Sequence, residues 1–158
     1  MIIQAGEYEL RPFKKDDAIN FFNLAHDELV KKYVPYAYPK NIEEANKMVQ
    51  DYLKGDLKND FYLLIEQNEI LIGMIIAVRY SKKTLDTSAF IAKNFRGKGI
   101  MTIAMKSFIK WLYDNTDYEN LIMFIEKENI ASNCQIKKIG GVHISKYENN
   151  NVYSVTIR

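Results

Sequence analysis

Two glycines and two cations, Gly97, Gly99, Arg96 and Lys98, stand together where an apolar strand pattern gives way to a helical one. Glycine lets the backbone approach a ligand closely and adopt positive φ values. The first turn of a helix leaves its N–H groups unpaired, and these groups, with the positive end of the helix dipole, attract phosphate. The stretch therefore predicts an anion site, but a turn whose glycines only relieve backbone strain would contain the same residues.

The spacing of these glycines excludes two common phosphate-binding motifs. A Walker P-loop requires Gly-Lys followed by Ser or Thr, whereas Lys98 is followed by Gly99. The dinucleotide fingerprint G-x-G-x-x-G lacks its third glycine, because Thr102 occupies that position. An anion site here would belong to another class.

The elements that would position this turn form one mixed sheet. Alternating apolar residues predict strands over 7–11, FYLLIEQ, NEILIGMIIAVRY, TLDTSAFIA, NLIMFIE, VHISKY and VYSVTI. Helical spacing predicts helices over about 14–25, 41–54, 100–113 and 130–139. Ile19, Phe22 and Ala25 are predicted on the buried face of the first, which Phe21 and Leu24 widen. We predict an ordered loop over residues 33–39. This order of elements indicates an α/β (α+β) fold.

The composition predicts one folded domain over residues 1–158. Of the 158 residues 47% are hydrophobic, which is enough for a core. A net charge of +2 argues against nucleic acid or an anionic membrane as partner. No signal peptide and no apolar run of membrane-spanning length is recognised, so we expect a cytoplasmic protein. The single Cys134 excludes an internal disulfide and a multi-cysteine metal site, and no metal is expected.

The glycine turn resembles a motif of the GNAT acetyltransferases. FRGKGIM is similar to their pyrophosphate-binding pattern, Arg/Gln-x-x-Gly-x-Gly/Ala. Arg96 and Gly99 match it, and Met101 stands where Gly or Ala is usual.

A second segment, ENIASNCQIKKIGG, resembles the family's Asn-x-x-Ser…Lys-x-Gly-Phe stretch. Asn129, Ser132, Lys138 and Gly140 match, and Gly141 replaces the aromatic residue. The Asn–Ser spacing, and the acidic-hydrophobic strand LDTSAFIA before the glycine turn, are most similar to the branch that acetylates N-terminal amines of ribosomal proteins. The likeness spans nearly the whole chain.

The resemblance implies a mixed, mostly antiparallel sheet of about seven strands, splayed in the middle, with about four helices. It also implies direct transfer of acetyl from acetyl-CoA, as co-substrate, to a primary amine of a protein N-terminus or a small molecule. A strand N–H near Ile91 would polarise the thioester carbonyl. Homodimers are common in the family. The residues that would contact acetyl-CoA are Phe90, Ile91, Arg96, Gly97, Lys98, Gly99, Ile100, Met101, Thr102, Asn129 and Ser132.

Such a transfer requires a neutral amine and a stabilised leaving thiolate. Many family members use a Tyr seven residues after the Asn, where this chain has Ile136. Ser132 is the candidate donor instead, although its hydroxyl could bond its own helix backbone. Asp86 and Glu126 are candidate bases, and each could equally be a solvated charge at a strand end.

The remaining candidates are aromatic residues and one thiol. Tyr33, Tyr36 and Tyr38 could form the wall of the acceptor pocket or pack in the protein interior. Cys134 has no neighbouring base in the sequence, and we expect it to be buried and inert.

Two other functions remain open at this point. A catalytically silent relative would bind CoA as a sensor or partner module, and the missing Tyr and Gly141 favour that reading. A nucleotide or phosphate binder would use RGKG without thioester chemistry. Calorimetry with acetyl-CoA against ATP would separate these classes.

Overall fold

The computed structural model describes all 158 residues, which form one eight-stranded sheet with five α-helices. The strands are β1 (Ile3–Ala5), β2 (Tyr8–Pro12), β3 (Asp60–Gln67), β4 (Ile70–Ser81), β5 (Thr84–Ile91), β6 (Asn120–Glu126), β7 (Val142–Tyr147) and β8 (Asn150–Thr156). The helices are α1 (Ala18–Ala25), α2 (Glu28–Tyr33), α3 (Ile42–Tyr52), α4 (Ile100–Asn115) and α5 (Ile130–Lys138). None of the five helices has the length and apolar character that crossing a bilayer requires.

The strand order is β1-β2-β3-β4-β5-β6-β8-β7, and only β5 and β6 pair in parallel. The prediction of a mixed, mostly antiparallel sheet is thus confirmed, with one strand and one helix more than expected. β1 has only three residues and joins β2 through Gly6, whose φ is +63°. α2 buries a single residue, Val30, so its sequence carries almost no helical stripe.

The sheet has a separate apolar core on each face. On one face lies α4, whose residues Met101, Met105, Phe108 and Leu112 recur at helical spacing and are all buried. This core extends under β1 to β6 and β8.

On the other face, α1 and α3 cover β3 and β4. α1 buries Phe21, Leu24 and Ala25, whereas Ile19 is 62% exposed, so its predicted place on the buried face is wrong. The helix begins only at Ala18, and its stripe is set by the later residues. α3 begins as predicted, because Oδ1 of Asn41 accepts a hydrogen bond from the N–H of Glu44 at 2.8 Å.

The sheet parts between β5 and β6. Only residues 84–86 of β5 pair with β6, opposite residues 120–122. β5 continues to Ile91 and β6 to Glu126 without further pairing to each other. We call the space between residues 87–91 and 123–126 the gap. β5 is followed by a short 3-10 helix, Lys93–Phe95, the glycine turn and then α4, and β6 is followed by α5.

Candidate active site

The turn between β5 and α4 presents backbone donors to open space. Gly97 and Gly99 have φ values of +75° and +76°, a conformation that residues with a side chain rarely adopt. A Cβ atom at either position would meet nothing within 4 Å. The N–H groups of residues 97–102 have no acceptor in the chain. They surround the N-terminus of a 16-residue helix, an arrangement that suits an anion.

Arg96 is held by the protein itself. Its Nε donates to the carbonyl oxygen of Ile91 at 2.8 Å, and its Nη2 donates to Oδ1 of Asp27 at 2.8 Å. Asp27 also caps α2 by accepting from the N–H groups of Leu29 and Val30. Burial alone would raise the pKa of Asp27, but Arg96 and these N–H groups outweigh it and lower that pKa. The sequence suggested that Arg96 adds charge for a ligand; the structure shows its guanidinium already paired.

Two lysines near the turn are unpaired. Lys98 and Lys138 are exposed, and neither forms an ion pair with a carboxylate. The Nζ of Lys98 lies 5.5 Å from the ring centre of Phe95. These are the free cations beside the N–H groups of the turn.

A groove runs from the turn into the gap. It consists of two cavities, which we call the turn cavity, of about 430 Å³, and the sheet cavity, of about 510 Å³. Tyr33, Ala89, Met101, Asn129 and Ser132 line both cavities, so the two lie side by side. A long ligand could therefore lie with one end at the turn and the other within the parted sheet.

The two ends of the groove carry opposite charges. The charged residues that line the turn cavity are Arg96, Lys98 and Lys138. Those that line the sheet cavity are Asp86 and Glu126. The groove therefore suits an anion at one end and a cation at the other.

The two carboxylates lie on the same face of the sheet. Asp86 pairs with Ile122, and alternation places Phe124 and Glu126 on the face of Ile122. Both carboxylates are half-buried, and neither has a hydrogen-bond or ion-pair partner in the chain. Burial raises the pKa of Asp86 above its ordinary value. An unpaired carboxylate with a raised pKa is the arrangement expected of a general base.

Asn129 and Ser132 border both cavities at the start of α5. Oδ1 of Asn129 accepts from the N–H of Ser132 at 3.3 Å and so caps the helix. Nδ2 of Asn129 and the hydroxyl of Ser132 have no partner in the chain. The alternative in which the Ser132 hydroxyl bonds its own helix backbone is therefore not observed. Ile136, where the family has Tyr, is 2% exposed and lines the sheet cavity.

Asn133 fixes this helix start, and the sequence reasoning missed it. Its Nδ2 donates to the carbonyl oxygens of Glu126 at 2.9 Å and Asn129 at 2.8 Å. Its Oδ1 accepts from Asn151 Nδ2 at 2.9 Å and from Tyr153 Oη at 2.8 Å. The sequence held one indication of this role. Asn is disfavoured inside a helix unless its side chain forms hydrogen bonds, and Asn133 lies inside a short predicted helix.

Thr87 was also missed, because a Thr within a strand pattern is unremarkable. It is 2% exposed and lines the sheet cavity. Its Oγ1 is the one buried side-chain polar atom in the chain without a hydrogen-bond partner. It lies one residue beyond the last pair between β5 and β6, where the gap begins.

Along β5, the backbone N–H and C=O groups of every second residue face the gap. The N–H of Ala92 donates to Ile72 of β4 at 2.8 Å. Antiparallel alternation then directs the backbone groups of Phe90 to β4 and those of Ala89 and Ile91 to the gap. Phe90 and Ile91 were both expected to offer backbone groups to pantetheine, but of the two only Ile91 has backbone groups that face the gap.

Two of the three predicted tyrosines line the groove. Tyr33 borders both cavities, and Tyr36 borders the sheet cavity although 62% of it is exposed. Surrounding protein and the nearby Asp86 raise the pKa of Tyr36. Tyr38 lies elsewhere, with its ring stacked on His26 at 5.0 Å between ring centres.

Cys134 is exposed and lines the turn cavity, so the prediction that it is buried is wrong. α5 is short and buries only Ile136, which leaves Cys134 outside. Gly140 and Gly141 follow the end of this helix, and their N–H groups donate to Lys137 O and Ile136 O at 3.2 and 2.9 Å. A Cβ at Gly141 would lie 2.6 Å from a side-chain carbon of Ile136, which explains why no aromatic residue stands there.

Comparison with known proteins gives consistent results. A family model described as the acetyltransferase (GNAT) domain matches residues 8–142. The N-acetyltransferase YnaD of Bacillus subtilis, itself uncharacterized, is 26% identical over 132 residues, which cover 83% of this chain and 76% of that protein.

Solved structures of acetyltransferases share the fold. RimL, an acetyltransferase of ribosomal L7/L12 N termini in complex with coenzyme A, has a TM-score of 0.87 and 17% identity, covering 99% of this chain and 98% of its own. MccE, a microcin C7 self-immunity acetyltransferase in complex with acetyl-CoA and AMP, has a TM-score of 0.83 and 17% identity, covering 96% and 93%. Two other neighbours are an acetyltransferase of the N-terminal serine of ribosomal protein L7/L12 from Salmonella typhimurium and a ribosomal-protein-S5-alanine acetyltransferase from Vibrio fischeri.

Proposed function

The chain belongs to the GNAT acetyltransferases, a family of acetyl-CoA-dependent N-acetyltransferases, and we propose that it transfers acetyl from acetyl-CoA to a primary amine within a single domain. The observation that supports this most directly is the row of unpaired N–H groups over residues 97–102, which faces a groove leading into the parted sheet. The complexes of RimL with coenzyme A and of MccE with acetyl-CoA support the choice of co-substrate.

The residues at the turn fit a diphosphate. The space in front of Gly97 and Gly99 is open, both glycines have a positive φ that residues with a side chain rarely adopt, and the N–H groups there need acceptors. Lys98 and Lys138 add free positive charge at the same end of the groove. The free Nδ2 of Asn129 and the gap-facing N–H of Ile91 would hold the pantetheine arm.

Acetyl-CoA would supply an activated acetyl thioester at the gap. An acceptor bound as an ammonium first loses one proton to become the neutral nucleophile; a C–N bond then forms, the thioester C–S bond breaks, and the nitrogen loses a second proton, which goes to the thiolate or to water. We assign the first proton to Asp86, directly or through water, because its carboxylate is unpaired and its pKa is raised. Glu126, on the same sheet face, is the alternative base. Holding both reactants in one groove contributes much of the rate.

The departing sulfur would leave as a thiolate and needs a donor. Ser132 has a free hydroxyl and lines both cavities. The Tyr that many family members use is absent, because Ile136 stands at its position. We therefore assign to Ser132 a hydrogen bond to the thiolate.

A pair of substitutions at Gly99 tests the diphosphate site. Glu and Gln strain the positive φ equally, but only Glu places a carboxylate before the turn. We expect Gly99→Glu to bind acetyl-CoA at least about tenfold more weakly than Gly99→Gln by calorimetry, a difference of about 1.4 kcal/mol. Equal, undiminished affinity in both variants would overturn the assignment of the site.

A silent CoA-binding module is the second candidate, because an aliphatic residue, Ile136, occupies the position of the usual acid. Tight acetyl-CoA binding without release of CoA over a broad amine panel would favour it. Tighter binding of ATP than of acetyl-CoA would favour a nucleotide site instead.

A further inference from the structure

We propose that the acceptor is a small primary amine with an apolar, preferably aromatic, body and no acidic group, an inference that rests on the transferase function proposed above. The preference is set by the sheet cavity, whose lining differs in charge and in aromatic content from that of the turn cavity.

The charge of the sheet cavity excludes acidic acceptors. Its lining contains Asp86 and Glu126 and no Lys, Arg or His. A substrate carboxylate or phosphate would meet two unpaired carboxylates and no cation, which is unfavourable in a half-enclosed site. An ammonium group, in contrast, would be attracted to both. The free amino acids and phosphorylated amines are therefore poor candidates.

Aromatic rings form the outer rim of the same cavity. The ring centre of Phe124 lies 6.4 Å from that of Tyr80 and 6.2 Å from that of Tyr147. Tyr80, Tyr147 and Tyr36 are 58%, 59% and 62% exposed, although each lines the cavity. They come from separate parts of the chain, namely β4, β7 and the segment after α2. Exposed aromatic side chains gathered at one opening mark a binding surface for an apolar or aromatic group.

The same lining argues against two longer acceptors. A peptide brings several amide groups that need partners, whereas the three exposed residues of the lining, Tyr36, Tyr80 and Tyr147, are all aromatic. A polyamine brings several ammonium groups, whereas the cavity offers two carboxylates, one of which the transfer itself would use. A single cation joined to an apolar body matches both features of the site.

A panel of four amines tests this choice by following CoA release from the full chain. The matched pair is 2-phenylethylamine and phenylalanine, which differ by one carboxylate; spermidine and a short peptide with a free N-terminal Ser complete the panel. We expect kcat/KM for 2-phenylethylamine to exceed each of the others by about 100-fold or more, about 2.7 kcal/mol. A higher kcat/KM for phenylalanine, spermidine or the peptide would overturn the inference and leave the transferase function standing. No turnover of any amine, together with no binding of acetyl-CoA by calorimetry, would overturn both.

Two variants test the residues behind the preference. Glu126→Lys should lower kcat/KM for 2-phenylethylamine and raise it for phenylalanine, because the cavity gains a cation. Phe124→Ala should raise KM for 2-phenylethylamine about tenfold and leave KM for acetyl-CoA unchanged, since Phe124 lines only the sheet cavity. If the ratio of kcat/KM for 2-phenylethylamine to that for phenylalanine is unaltered in Glu126→Lys, the charge argument is contradicted. If KM for 2-phenylethylamine is unaltered in Phe124→Ala, the aromatic argument is contradicted.

Discussion

Three side chains that line this groove share one property: the rest of the protein leaves their polar groups without partners. The carboxylate of Asp86, the hydroxyl of Ser132 and the buried hydroxyl of Thr87 all line it without a hydrogen bond. A buried polar group without a partner costs about 1–3 kcal/mol. Thr87 is buried and carries this cost, whereas Asp86 and Ser132 are half-buried; a ligand in the gap would give all three a partner.

Replacing Asp86 by Asn should lower kcat and raise stability. The carboxylate would no longer accept the proton of the amine, and we expect kcat to fall about 100-fold or more. Because burial raises the pKa of Asp86, its charge opposes folding at neutral pH, and this cost disappears as the pH falls through that pKa. Asp86→Asn should therefore unfold at higher denaturant concentration than the unmodified chain at pH 7, with the difference shrinking in acid.

Glu126→Gln is the matched control for the assignment of the base. Both carboxylates lie on one sheet face, so both variants remove one negative charge from the same cavity. A larger loss of kcat in Glu126→Gln than in Asp86→Asn would reverse the assignment.

Thr87→Val should separate folding from ligand binding. Removing a buried hydroxyl that has no partner should stabilise the free protein by about 1 kcal/mol in chemical denaturation. If a ligand completes the hydroxyl, the same change should weaken acetyl-CoA or acceptor binding. Stabilisation with unchanged KM values for both substrates would show that the hydroxyl has no role at the gap.

The larger elements show what sequence reasoning can and cannot reach. The helix α4 and the glycine turn were predicted, because an apolar stripe and positive-φ glycines are local signals. The partners of Arg96 and Asn133 were not, because each joins residues far apart in the sequence. The short α2 and β1 were missed for the lack of any periodic pattern. The charge difference between the two cavities also depends on tertiary structure alone.

Asp27 connects α2 to the glycine turn, and its loss should affect both. Asp27→Ala removes a helix cap and a partly exposed ion pair, so we expect a loss of about 1–2 kcal/mol in unfolding free energy. Because the pKa of Asp27 is lowered, its contribution is present near neutral pH and is lost as the pH falls. The released Arg96 should also let the turn move and weaken acetyl-CoA binding. Asp51→Ala, which breaks an exposed pair with Lys54, is the control and should change neither quantity.

Asn133 holds α5 against β6 and β8, and replacing its side-chain NH2 donor tests this. Asn133→Asp keeps the shape but cannot donate, so the carbonyl groups of Glu126 and Asn129 lose their partner. We expect a loss of about 2 kcal/mol in stability and a lower kcat/KM, because Ser132 is no longer positioned. Asn149→Asp, in an exposed turn, adds the same charge and should be neutral. If Asn133→Asp is less stable but its kcat/KM is unaltered, the role of Asn133 is limited to folding.

At the scale of the whole molecule, the sheet consists of two parts with a weak junction. β1 to β5 form one part and β6, β8 and β7 the other, and three residue pairs connect them. The groove passes through this junction, with lining residues from both parts. A ligand that fills it would therefore contact both halves of the sheet and oppose their separation.

Hydrogen exchange with and without CoA should reveal this coupling. At about 100 times its Kd, CoA should add about 2.7 kcal/mol to the free energy of unfolding. Amides of residues 87–91 and 123–126 should gain as much protection as those of β3 and β4, because separating the halves destroys the site. β7, in which all six residues are exposed, should exchange by local fraying that leaves the site intact and should gain nothing. If calorimetry shows CoA bound while the amides at the gap gain no protection, the ligand does not bridge the two halves and must lie outside the parted sheet.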